Sequence, residues 1–190
     1  MLCSPSMACM TPAERLDYLN HCSPDDFCAA MADIWEHAPW VAAQTVALRP
    51  FASADALHSA MLAVVAGLDE PARIRFYAGH PELGGELART GAMNAASTDE
   101  QASLGLGQLQ AAEAQRWDGL NRAYRERFGF PFILCIRQHS LASALLVFEQ
   151  RLGHTRQREL QLALNEIAAI SRLRLARYLQ EADPAPVCTH

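Results

Sequence analysis

The stretch Ser53–Leu68, SADALHSAMLAVVAGL, decides the fold class. Leu57, Ala60, Met61, Val64, Val65 and Leu68 recur at spacings of three and four, which lines one face of a helix with apolar side chains. Ser53 stands where a helix cap is expected. Upstream, Pro39-Trp40 opens a short helix that must stop near Arg49, because Pro50 follows. Ser23-Pro24-Asp25-Asp26 opens another, running toward Glu36. Thr11-Pro12-Ala13-Glu14 reads as cap, proline at the first helical position and a glutamate reaching back. Downstream, Pro71 opens a brief helix that His80-Pro81 closes. Ser97 begins a long helical region to about Arg127, interrupted at Gly105, Gly107 and Gly119.

Phe128-Gly129-Phe130-Pro131-Phe132 is a break. Leu141, Ala144, Leu145, Phe148 and Leu152 stripe the next helix, which Gly153 ends. A last helix from about Thr155 to Glu181 turns Leu160, Leu164, Ile167, Ile170 and Leu173 inward. Phe132–Ile136 is strand-like but too short and isolated to build a sheet. The expected architecture is all-α: a single-domain multi-helix bundle over residues 11–182, with a disordered extension at 1–10 and a flexible tail at 183–190.

Bulk composition narrows the function classes. A chain of 190 residues can bury a substantial core, and 51% hydrophobic with 19% charged residues marks a globular protein. All 16 basic residues are arginine, yet the formal charge is -5, which disfavours a nucleic-acid partner. Arg172, Arg174 and Arg177 share a helix with Glu166 and Glu181 and read as a mixed, solvated face. No apolar run reaches the roughly 20 residues of a membrane span. Met1–Ser6 lacks the pattern of a secretory signal, and Cys3, Cys9, Cys22, Cys28, Cys135 and Cys188 form no Cys-x-x-Cys pair, so free thiols and a cytoplasmic setting are expected.

Two runs carry candidate chemistry. In Gly79-His80-Pro81-Glu82 the proline forces His80 out of helical geometry, leaving an imidazole at a helix end. Such a histidine either bonds a last-turn carbonyl or does acid–base work, its ordinary pKa of about 6.5 suiting both protonation states. Ser97-Thr98-Asp99-Glu100-Gln101 matches a capping box, and a helix start also offers N–H groups to an anionic ligand. Beyond them, Phe132-Ile133-Leu134-Cys135-Ile136 offers non-helical backbone donors and acceptors, and Arg137 is a possible carboxylate ligand. No zinc spacing, phosphate loop or nucleophile elbow occurs, so no metal or cofactor is expected and cofactor-free acid–base chemistry is the enzymatic option.

Several runs together resemble the 2-oxo-4-hydroxy-4-carboxy-5-ureidoimidazoline (OHCU) decarboxylases of urate breakdown. They are Trp35-Glu36-His37-Ala38-Pro39-Trp40, Arg49-Pro50-Phe51, His80-Pro81-Glu82-Leu83, Ser97–Gln101, Leu120-Asn121-Arg122-Ala123-Tyr124-Arg125 and Arg127-Phe128-Gly129-Phe130-Pro131-Phe132-Ile133. They fall in the family's order across residues 20 to 178. The resemblance implies an all-α homodimer without a cofactor. It places the catalytic histidine on His80, a second acid–base group on Glu100, and substrate contacts on Pro81, Ser97, Thr98, Asp99, Gln101 and Phe132 through Ile136.

Departures accompany it. The family usually has Asp where Glu82 stands and often a basic residue at Glu86, and Ser103-Leu104-Gly105-Leu106 replaces its common Ala-Gly-Leu. The competing expectations are a non-catalytic helical binding protein with a degenerate site, and a helical regulator domain, which the acidic balance and missing DNA-reading helix disfavour.

Overall fold

The computed structural model describes residues 10–86, 90 and 95–180. The expected disorder at 1–10 and 183–190 therefore lies, apart from Met10, outside the described residues. Nine α-helices occur among those residues, with no strand, so the all-α expectation holds. They are α1 (Pro12–His21), α2 (Pro24–Ala30), α3 (Pro39–Thr45), α4 (Ala54–Ala66), α5 (Glu70–Ala78), α6 (Ala95–Ala102), α7 (Ala111–Phe128), α8 (Leu141–Leu152) and α9 (Arg156–Gln180). The chain divides into two compact units: the described residues up to Val65 together with those from Ser171 on, and residues 66–170.

The first unit shows how local caps write helix starts. Glu14 N–H donates to Thr11 Oγ1 at 3.3 Å while Thr11 N–H donates to Glu14 Oε2 at 2.7 Å, the reciprocal box its sequence predicts. Ser23 Oγ accepts from Asp26 N–H at 3.1 Å, with Pro24 opening α2. That helix stops at Ala30 instead of running toward Glu36. Residues 31–37 form turns, and His37 takes a left-handed φ of 49°. Leaving the helix lets Ile34, Trp35 and Glu36 all bury, which one helical face could not do. The buried Glu36 carboxylate is then met by Arg174 at 3.0 Å. Arg49 donates to the Leu19 and Cys22 carbonyls at 3.1 and 2.7 Å, satisfying the end of α1.

On α4, Leu57, Met61 and Val65 are buried as expected. His58 is buried beside them, its Nε2 2.9 Å from Ser171 Oγ. The last helix corrects its predicted stripe. Leu160, Leu164 and Ile167 are buried, but Leu173 is 39% exposed, and burial continues through Ser171, Leu175 and Leu179. Steps of four replace the expected steps of three.

The second unit is built on aromatic packing. Tyr77, Trp117, Tyr124, Phe128, Phe130, Phe132 and Phe148 are all buried, with Phe132 and Phe148 stacked 3.9 Å apart at 10°. The long helix expected from Ser97 to Arg127 is two helices. α6 is already under way at Ala95, so Ser97 lies inside it and does not cap it. Gly105, at φ 70°, takes the left-handed turn that separates α6 from α7, whereas Gly119 leaves α7 unbroken. The Phe-Gly-Phe-Pro break is confirmed: Gly129, at φ 84°, ends α7 and its N–H donates to the Arg125 carbonyl at 2.8 Å.

Candidate active site

All the candidate residues lie in the second unit. His80 follows the end of α5, its N–H donating to the Tyr77 carbonyl at 3.0 Å. Its Nδ1 lies 3.3 Å from the Phe76 carbonyl, and its ring meets the Phe76 ring edge-on, 5.1 Å between centroids. The last-turn carbonyl expected as the structural use of this histidine is therefore present. A carbonyl accepts only from a protonated Nδ1, so the neutral ring carries its basic lone pair on Nε2. Partial burial leaves His80 within reach of a ligand.

Three contacts pin the backbone after Pro81. Gln101 Oε1 accepts from Gly84 N–H at 2.9 Å, and Gln101 Nε2 donates to the Glu82 carbonyl at 3.2 Å. Asn121 Nδ2, on α7, donates to the Leu83 carbonyl at 3.0 Å. Arg125, one turn further along α7, pairs with the Glu82 carboxylate at 2.8 Å. Gly84 sits at φ 61° with Leu109, Leu106 and Trp117 around the place a Cβ would occupy. The strap that carries Pro81 is thus tied to α6 on one side and α7 on the other.

Along α6, Ser97 and Gln101 are buried, Thr98 and Glu100 are half-buried, and Asp99 is exposed. The alternation follows the helical period: residues four apart share the inward face. α6 also packs against the turn Ile136–Gln138, which holds the exposed Arg137. Phe132 through Ile136 are buried throughout. Arg151 donates to the Ile133 carbonyl at 2.9 Å with its guanidinium 4.8 Å above the Phe132 ring, and Cys135 N–H donates to Glu166 Oε2 at 2.9 Å. The Cys135 thiol is pushed above its ordinary value by burial first, then by the Glu166 and Glu100 carboxylates. Glu100 is therefore electrostatically close to the segment, and the thiol stays protonated at neutral pH.

The three predicted parts are brought together: the His80 strap joins α6 through Gln101, and α6 joins the 132–136 segment at its end. The anchoring residues Asn121, Arg125, Arg151 and Glu166 were not identified from sequence. Their partners lie 18 to 43 positions away. The only local signal was the run Leu120–Arg125, whose Asn121 and Arg125 both face the strap.

The OHCU decarboxylase family profile matches residues 20–176. The chain is 38% identical over 157 residues to a 2-oxo-4-hydroxy-4-carboxy-5-ureidoimidazoline decarboxylase of Halalkalicoccus jeotgali, covering 83% of this chain and 87% of that one. It is 36% identical to the uric acid degradation bifunctional protein PucL of Bacillus subtilis, covering 87% of this chain but 33% of that longer protein. Among solved structures it resembles an (S)-allantoin synthase, with a TM-score of 0.65 and 25% identity over 89% of this chain and about half (54%) of that one. With most of its length matched, and with the strap, α6 and the Phe-Pro-Phe segment in place, the chain belongs to the OHCU decarboxylase family.

Proposed function

We propose that this chain decarboxylates 2-oxo-4-hydroxy-4-carboxy-5-ureidoimidazoline to (S)-allantoin in urate breakdown, with His80 as proton donor and Glu100 as its partner. The observation that carries the reading is the Gln101 clasp, which binds the strap after His80 to the helix bearing Glu100. Two acid–base groups on separate elements are of use to one substrate only if those elements are held in register.

The chemistry suits a protein that supplies no electron sink. The bond from the ring carbon to the carboxylate breaks, and its electron pair moves into the adjoining carbon–nitrogen double bond of the substrate. Departure of carbon dioxide leaves a double bond between the two ring carbons. The hydroxyl proton then passes to the ring nitrogen and its carbon becomes the carbonyl of allantoin, while the neighbouring carbon, which bears the ureido group, takes one proton. His80 Nε2, protonated while Nδ1 is held on the Phe76 carbonyl, delivers that proton to one face; solvent restores it. Glu100 fixes the substrate hydroxyl and carboxylate region, and Pro81 stiffens the approach. Ser97, Thr98, Asp99, Gln101 and Phe132 through Ile136 line the contact surface, with Arg137 at its edge. The reaction needs no cofactor, and the protein acts as a cytoplasmic homodimer, in keeping with the resemblance.

The test generates the unstable substrate from urate with the upstream oxidase and hydrolase and follows the optical activity of allantoin. Acceleration over spontaneous decay with formation of the (S) enantiomer is expected. Racemic product at the uncatalysed rate refutes the assignment. A His80→Ala variant is expected to lose about a hundredfold to ten-thousandfold in rate, and full retention removes His80 from the mechanism. Sedimentation velocity checks the dimer.

A further inference from the structure

We propose that Glu166 is a positioning residue of this site, acting through the main chain of Cys135. The inference rests on the reading that Phe132 through Ile136 contact the substrate. The segment lies between α7 and α8, and its residues 132–135 are neither helix nor strand, so no ladder of their own fixes them. Two long-range side-chain bonds hold its backbone instead. Arg151 takes the Ile133 carbonyl and Glu166 takes the Cys135 N–H, each at 2.9 Å. A cation grips an acceptor and an anion grips a donor two residues on, while the amide and carbonyl of Leu134, between them, join neither bond. Both grips are charge-assisted and stronger than neutral ones.

Arg151 is committed elsewhere as well, to the buried Glu159 carboxylate and the Phe132 ring. Glu166 is half-buried on α9, and its bond to Cys135 joins that helix to the segment. Phe132 and Ile133 are further secured by aromatic stacking and by Arg151. The Cys135 side chain is small, and the Glu166 bond holds its amide at this end of the segment. Releasing it frees peptide planes next to the turn that packs on α6. The prediction is a loss in ligand binding while the proton delivery at His80 is untouched.

The test compares Glu166→Leu, which removes the acceptor, with Glu166→Gln, whose side-chain oxygen still accepts from Cys135 N–H. Steady-state kinetics on freshly generated substrate and the inhibition constant of added (S)-allantoin are read for both, with urea unfolding as the folding control. Glu166→Leu is expected to raise KM and the inhibition constant about tenfold, the size of one such bond, with kcat within about twofold. Glu166→Gln is expected to recover most of both. If Glu166→Leu does not fold, Glu166→Asp replaces it: the carboxylate is retained but falls one methylene short of the amide, and the same KM shift is expected. Unchanged KM in the folded acceptor-deficient variant overturns the proposal, as does equal damage from Glu166→Gln. These outcomes all require active wild-type protein, whereas inactive wild-type protein refutes the decarboxylase reading instead.

Discussion

Gln101 and Gly84 share a 2.9 Å hydrogen bond in which the side-chain oxygen of a helical residue accepts from a strap amide. The same side chain gives its nitrogen to the Glu82 carbonyl. A buried amide can do both at once, because it carries one acceptor and two donors. A neighbouring position, Glu100, is thereby held at a fixed distance along the helix from the strap that His80 begins.

Replacing Gln101 by Leu is expected to break both of its bonds to the strap, leaving the Glu82 carbonyl the longer bond from Gly85 N–H at 3.3 Å, and to cost about 1–3 kcal/mol. Gln101→Glu keeps the acceptor for Gly84 but sets a carboxylate oxygen against the Glu82 carbonyl, so it should be impaired too. The decisive measurement is the enantiomeric purity of the allantoin formed at saturating enzyme. A loosened strap should lower it, and unchanged purity in a destabilised Gln101→Leu variant would limit the clasp to stability.

Glycine substitutions separate backbone strain from crowding. Gly84 and Gly105 both hold left-handed φ values, 61° and 70°, that cost an L-residue about 1–2 kcal/mol. A Cβ on Gly105 would meet nothing within 4 Å, whereas one on Gly84 would lie 3.2 Å from Leu109 Cδ1. Gly84→Ala should therefore be the more destabilising by urea unfolding, and it alone should lower activity. Equal losses would mean that the packing around the strap yields freely.

The contrast between local and distant partners explains what the sequence makes legible. Thr11 and Ser23 announce their helices because cap and partner lie within four residues. The His80 and Ser97–Gln101 runs are found the same way, through residue types suited to helix ends. The split of the 97–127 region depends on which glycine is asked for a positive φ, and Gly105 and Gly119 look alike in sequence. His58 reads as an interruption of an apolar face, since Ser171 lies 113 positions away. Glu166 reads as one charge on a solvated helix, because the peptide it holds is 31 residues distant.

Alkaline pH should unload the second unit through its buried tyrosines. Burial drives the Tyr77 and Tyr124 hydroxyls well above their ordinary value of 10.0, and Tyr77 donates to the Leu160 carbonyl at 3.0 Å. Above about pH 10 the unfolded chain releases these protons while the folded chain keeps them. The unfolded state then binds fewer protons, so stability falls as pH rises, by about 1.4 kcal/mol per pH unit for each such group. Urea midpoints between neutral pH and pH values above 10 should show this slope, shallower by one proton in Tyr77→Phe. An identical slope in that variant would place its titration elsewhere.

The Arg151–Glu159 pair makes the strongest energetic prediction. Glu159 is fully buried; one oxygen receives Arg151 Nε and Nη2 at 2.9 Å together with the Tyr124 hydroxyl, and the other lies 2.6 Å from His154 Nδ1. Burying the two ions is costly, and their mutual attraction offsets that cost only while both are present. Arg151→Met takes the guanidinium from the buried carboxylate and frees the Ile133 carbonyl; Glu159→Leu takes the carboxylate from the buried guanidinium. Each single change should cost about 3–5 kcal/mol in urea unfolding. The double variant should cost well under the sum, since no charge is then left buried without its partner. It should nevertheless bind (S)-allantoin more weakly than wild type, because the Phe132–Ile136 segment has lost the Arg151 grip. Strict additivity would show that the two side chains stabilise the unit independently, and wild-type binding in the double variant would confine Arg151 to stability.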